Sequence, residues 1–340
     1  MTPMRIFRPL AAGSVGGALT AVIVAGSALA HGAAPADSQS IATLALGWTF
    51  EPAVVLPLLA AAVGWLRIVR RIDRAHPANP VPRRRTVAFL AGLAAIAVAL
   101  LSGIDTYDTT LFSIHMVQHL LLTLVAAPLI ALGAPITTLL RAASPDVRRR
   151  VILPILHSRV MRVLGFPVVS WVLFAGVMWG THFSPIFDAS LENPAIHDLE
   201  HALYLGAGLL FWWPAVGLDP SPWRMPHPVR MMYVFLQMPQ NTFLAVTILN
   251  STAVLYAHYA TLVRPWGPGA LEDQRIAGGV MWLTGDLLFL AGLAAILAGW
   301  MAHEKRQEIA VDRRDDRERE AIRAREARLA ERLASEREGR

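Results

Sequence analysis

The chain contains no cysteine, so thiolate metal sites, disulfides and thiol nucleophiles are excluded, and any metal or redox site must be built from His, Met, Asp, Glu or backbone ligands. Charge is scarce as well. Only 16% of the 340 residues are charged while 54% are hydrophobic, which is too apolar for a soluble protein of this length and marks a membrane protein. The net charge of +6 is no argument for nucleic acid, because the last 38 residues carry 12 basic and 11 acidic groups and the surplus lies in the loops and N-terminus. There is also no phosphate loop, no nucleophile constellation and no internal repeat, so nothing calls for an enzyme.

What is present is a series of apolar blocks. Residues 1–30 have a basic start, an apolar stretch and an Ala28-Leu29-Ala30 site, the pattern of a signal peptide or an uncleaved anchor. Cleavage there would expose His31, whose amino group and imidazole together can chelate copper. Seven segments of roughly membrane-spanning length follow, at Val54–Val69, Val87–Ile104, Leu111–Leu132, Phe166–Thr181, Ala195–Val216, Val229–Leu249 and Ile276–Trp300. A barrel would show alternating short segments instead, so the expected fold is all-α: a polytopic, seven-helix transmembrane domain over 31–302 and a charged helical tail over 303–340. A seven-helix retinal protein is excluded, because the chain's one lysine, Lys305, lies in that tail.

Arginine decides the orientation, since positively charged loops stay cytoplasmic. The loops after segments one, three and five hold clusters such as Arg83, Arg84, Arg85 and Arg148, Arg149, Arg150, whereas the opposite loops hold only Arg264 and Arg275. This places the loops after segments two, four and six outside the plasma membrane and the tail in the cytoplasm.

That topology sorts the eleven histidines. His115, His119, His182, His197 and His201 fall at the outer ends of segments three, four and five, and His258 lies in the last outer loop. The stretches "HMVQH" and "HDLEH" each place two imidazoles one helical turn apart on one face. Neutral imidazole is a common ligand for copper and zinc, and this spacing lets both rings reach one ion. Asp198 and Glu200 stand beside the second pair as potential orienting groups, and Met116, Met178 and Met281 are near the same level. Three readings of the cluster stay open on these grounds: a metal site, axial ligation of haem by one histidine from each helix, or interhelical hydrogen bonding in a metal-free scaffold. Deeper in the membrane, Asp286 needs partners, and Gln237, Gln240 and Asn241 of segment six are available as a structural clamp or a relay. Pro128, Gly133 and Pro135 are expected to kink or end segment three.

The stretches "HMVQHLLLTLVAAPLIALGAP", "HDLEHALYLGAGLLFWWP", "LYAHYA" and "EDQRIAGGVMWLTGD" give the chain a further meaning. Over about residues 45 to 300 it resembles the CtaG family of assembly factors for caa3-type cytochrome c oxidase. The resemblance implies a non-catalytic, multi-pass plasma-membrane protein that acts on cytochrome c oxidase subunits and helps supply copper on the outer side. It makes His115, His119, His197 and His201 the leading metal ligands, with His182 and His258 behind them, and draws Asp273 and Gln274 toward the site; on spacing alone those two read as a helix start.

Overall fold

The computed structural model describes residues 38–338, and the expected signal sequence or anchor and His31 lie outside them. The described residues are mainly helical, with no strand among them. Residues up to Leu293 form one compact unit and residues from Ala294 onward a second.

Four stretches are long and apolar enough to cross a membrane: Pro52–Ala75, Arg83–Tyr107, Phe112–Ala142 and the apolar part of Ala270–Arg328. The other three segments also form helices. Pro167–His182 has 16 residues, Pro194–Val216 begins with the polar HDLEH turn, and the sixth is divided into His227–Phe235 and Gln237–Leu249. The division follows from Pro239, which supplies no N–H to the carbonyl four residues earlier, at Phe235. We label the principal helices α1 (Pro52–Ala75), α2 (Arg83–Leu101), α3 (Phe112–Leu120), α4 (Pro167–His182), α5 (Pro194–Val216), α6 (Gln237–Leu249) and α7 (Ala270–Glu338).

α1 shows why these helices belong in a membrane. Val54, Leu58, Ala61, Trp65, Val69 and Ile72 recur at helical spacing and are buried, yet the opposite face carries exposed Leu56, Leu59 and Val63. Exposed apolar side chains recur on α4 (Val168, Val172), α6 (Phe243) and α7 (Leu283, Leu287). In water such belts would be unfavourable by about 25 cal/mol per Å²; against lipid they cost nothing. The protein is a membrane protein.

Small residues set the helix contacts, as expected where lipid removes the hydrophobic drive between helices. A Cβ on Gly92 of α2 would stand 2.7 Å from Ile130 Cγ1, and one on Gly208 of α5 would stand 3.0 Å from Ala127 Cβ and 3.1 Å from the Thr123 backbone. Trp65 stacks on Phe89 at 4.0 Å and joins α1 to α2.

α3 does not run on as a regular helix. Leu121–Ala126 is a π-helical turn, in which the Ala127 N–H reaches back to Leu122 O, and a helix over Ala127–Gly133 follows. In that register the Thr123 carbonyl should pair with the N–H of residue 128, but residue 128 is proline. Trp212 Nε1 of α5 donates to Thr123 O instead, at 3.0 Å. The kink expected at Pro135 is present too: Ala134 takes a left-handed conformation (φ 54°) between Gly133 and the helix Pro135–Ala142. Asp219 caps that helix from the loop after α5, accepting from Ile136 N at 3.1 Å and Thr137 N at 2.7 Å. Burial pushes its carboxyl above the usual range, and the bonds from Thr137 oppose the shift.

The charged tail is helical to Glu338, and its side chains are exposed as far as they are described.

Candidate metal centre

The two histidine pairs meet. α3 presents His115 and His119, α5 presents His197 and His201, and Gly208 allows α5 to close on Thr123 and Ala127 in the stretch that continues α3. All four are almost fully buried, as is His182 at the end of α4. Ring centroids lie 4.2 Å apart within each pair (His115–His119 and His197–His201), 5.4 Å apart for His115–His197 and 6.0 Å for His119–His201. His182 stands 6.5 Å from His119 on the other side. Phe187 packs against both His115 and His182, at 5.1 and 5.4 Å.

A cap distant in sequence holds the start of α3. Its first turn is capped by Asp273 of α7, whose carboxylate accepts from Phe112 N at 2.7 Å and from Ser113 Oγ at 2.5 Å. Gln274 accepts from Leu255 N at 2.8 Å and donates to Ala253 O at 3.2 Å, which ties the loop after α6 to α7. These two residues therefore position the centre and do not line it. Glu200 does line it: 1% exposed, it sets Oε2 3.7 Å from His115 Nε2. Asp198, expected beside it, is only half-buried.

Three residues not singled out in the sequence complete the arrangement. Asp108, fully buried in the loop between two spanning segments, places Oδ2 3.6 Å from His197 Nε2. Burial, reinforced by the neighbouring Asp105 carboxyl, pushes the Asp108 carboxyl well above the usual range, as befits an acid held away from a counter-cation. Gln118 donates through Nε2 to Ala99 O at 3.0 Å and Asp105 Oδ1 at 3.3 Å, so its Oε1 must accept from His201 Nε2, 3.0 Å away. That bond places the His201 proton on Nε2 and orients the ring. Tyr259 donates to Asp108 O at 2.6 Å, so its oxygen faces His115 Nδ1 at 3.5 Å as an acceptor and leaves the His115 Nε2 lone pair toward Glu200.

The result is a set of buried electron-rich atoms directed at each other. His115 Nε2, Asp108 Oδ2 and both carboxylate oxygens of Glu200 have no hydrogen-bond partner, and neither ring nitrogen of His119 has one. Leaving such atoms dry is costly unless a cation or proton stands between them. Asp108, His197 and His201 can each bring one ligand atom within 4.8 Å of the others, and so can His115, His197 and Glu200. Three ligands about 2.0–2.2 Å from one ion stand about 3.3–3.8 Å apart, so donors at the 4.8 Å limit close by about 1 Å to bind it. Imidazole and carboxylate suit a borderline divalent ion, and imidazole alone also suits Cu(I). The residues present fit a metal.

His258 is not part of this group. Its Nε2 donates to Thr109 O at 2.8 Å and its backbone N–H to Asp188 Oδ1 at 3.1 Å, which makes it a loop fastener. A lone histidine carries no spacing from which its direction can be read. Asp286 is separate again: Asn241 Nδ2 donates to Oδ1 at 3.2 Å and Thr242 Oγ1 to Oδ2 at 2.8 Å, a clamp between α6 and α7. Asn241 was legible from the sequence, whereas Thr242 was not, because threonine is commonplace in membrane helices.

The chain is similar to several known proteins. An uncharacterized protein of Mycobacterium leprae is 30% identical over 276 residues, covering 79% of this chain and 42% of its own length. Uncharacterized proteins of Mycobacterium bovis and Mycobacterium tuberculosis are each 28% identical over 284 residues, covering 82% of this chain and 43% of theirs. The chain thus spans less than half the length of the curated relatives it matches. No solved structure matches it. The family described as cytochrome c oxidase caa3 assembly factor matches residues 62–303, a range that includes the whole histidine and carboxylate cluster. On that match the chain belongs to the family of caa3 cytochrome c oxidase assembly factors.

Proposed function

We propose that the protein assists assembly of cytochrome c oxidase by holding copper, as cargo, in the centre formed by His115, His197, His201, Glu200 and Asp108, with His119 beside it. The observation that carries the proposal is the convergence of buried, unpartnered lone pairs on Glu200, Asp108 and His115. The chain's own residues bind and orient: Gln118 sets the His201 tautomer, Tyr259 that of His115, and Asp273 fixes the helix that presents the α3 pair. An ion held by imidazoles and carboxylates can pass to imidazole ligands of the oxidase by ligand exchange, without thiol chemistry and without catalysis of a covalent step.

We place the centre on the outer side of the plasma membrane, in a seven-pass arrangement with the tail in the cytoplasm. The arginine bias of the opposite loops supports this. Haem is the less favoured occupant, because aromatic rings pack directly on the histidines, Phe187 at 5.1 Å from His115 and Tyr204 at 3.9 Å from His119, where a porphyrin needs space. In the native host, replacing the gene with Glu200→Gln or His197→Ala is expected to lower oxidase activity at least tenfold and to leave oxidase protein that lacks copper. Added copper in the medium should restore part of the loss. Full activity in both variants at low copper would reject the proposal and leave a metal-free scaffold.

A further inference from the structure

Below the carboxylate-bearing centre lies a cavity of about 30 Å³, room for about one water-sized species. Its lining includes His119, His182 and three methionines, Met116, Met178 and Met281. The tautomer of His182 is fixed. Its Nδ1 lies 2.7 Å from Met178 O, and a carbonyl can only accept, so the proton sits on Nδ1. Tyr204 oxygen stands 3.2 Å from the same nitrogen as a second acceptor and donates its own proton to Thr181 Oγ1 at 2.6 Å, while Thr181 donates to Val177 O at 2.9 Å. This chain of bonds is the kind that orients a metal-binding imidazole.

It leaves the His182 Nε2 lone pair facing Met116 Sδ at 3.5 Å. Both atoms are acceptors in this tautomer, so they stand in van der Waals contact without a hydrogen bond, lone pair to lone pair. Two donors about 2.0 and 2.3 Å from a common ion, at a tetrahedral angle, stand about 3.5 Å apart. His119, with neither ring nitrogen hydrogen-bonded, borders the same cavity. We propose that His182 Nε2 and Met116 Sδ, with His119 and the thioethers of Met178 and Met281 around them, form a second site that takes a soft monovalent cation, Cu(I) where copper is the cargo. The inference depends on the proposed function only for the identity of that cargo. Thioether and imidazole without carboxylate favour Cu(I) over Zn(II), whereas the centre above, with Glu200 and Asp108, favours the divalent ion. His119 neighbours both.

The test uses the purified full chain in lipid nanodiscs. Ag(I) serves as a redox-inert probe of the soft site and Zn(II) as a probe of the carboxylate centre, each titrated against a competing chelator. X-ray absorption is recorded on protein loaded anaerobically with Cu(I). Met116→Leu conserves volume and should leave the fold intact. Wild type is expected to show sulfur in the first coordination sphere of copper, and Met116→Leu to lose that signal and at least tenfold in Ag(I) affinity, with Zn(II) affinity unchanged. Copper without sulfur neighbours in wild type, or the same sulfur signal and Ag(I) affinity in Met116→Leu, would overturn the proposal. Zn(II) binding and its sensitivity to His197→Ala report the upper centre separately, so either site can fail alone.

Discussion

Glu200 and Asp108 are the residues on which the proposed metal binding turns. The Glu200 carboxylate, buried with no hydrogen bond to either oxygen, destabilises the metal-free protein, so removing its charge should stabilise the apo form even as it damages binding. Glu200→Gln is therefore expected to raise the melting temperature of the metal-free protein, by the equivalent of about 1–3 kcal/mol, and to weaken copper about 10- to 100-fold. Chelator-competition titration and thermal unfolding of the same preparation read both; a drop in apo stability would contradict the assignment. The histidines of this centre were legible in the sequence because the four-residue spacing repeats on two segments, and that spacing survives any detail of packing. Asp108, Gln118 and Tyr259 were not, because each reaches the centre through contacts distant in sequence, such as Tyr259 to Asp108 and Gln118 to His201. The cues existed only as oddities: an amide inside an apolar run, and two acids in the short loop "GIDTYD".

Helices carry these residues to one another, and two contacts between α5 and the π turn and helix that continue α3 set the register. Gly208 is the close approach, and a side chain there must push α5 away from Thr123 and Ala127. Gly208→Val is expected to cost at least tenfold in copper affinity by separating the two histidine pairs. Gly206→Ala, where a Cβ would meet nothing within 4 Å, should bind as wild type does and serves as the control. The second contact is the Trp212 bond to Thr123 O, which satisfies the carbonyl left over by the π turn and Pro128. Trp212→Phe should lower stability by about 1–3 kcal/mol, measured as thermal unfolding in detergent; an unchanged melting temperature would mean that the carbonyl finds another donor. Apolar blocks revealed where helices lie, since twenty greasy residues admit few alternatives in lipid. The π turn and the break before Gln237 stayed hidden, because both arise from how a proline's missing N–H is compensated by groups elsewhere in the fold.

At the scale of the whole molecule, the absence of cysteine makes the topology directly measurable. Thr252→Cys, in the loop after α6, is expected to react with a membrane-impermeant thiol reagent in intact cells, and Ala75→Cys, at the end of α1, only after lysis. The reverse pattern would invert the arrangement and put the centre on the cytoplasmic side. The residues of the centre lie between Asp108 and Tyr259, and the family match ends at residue 303. Removing 303–340 should leave copper stoichiometry unchanged. The central claim is that the buried histidine and carboxylate cluster holds copper, and it is tested most directly by metal content and visible absorption of the purified full chain, wild type against the His115→Ala, His197→Ala double variant. Near-stoichiometric copper without a Soret band, lost in the variant, is the expected result. Equal copper in both, or a Soret band in wild type that the variant loses, would contradict the account.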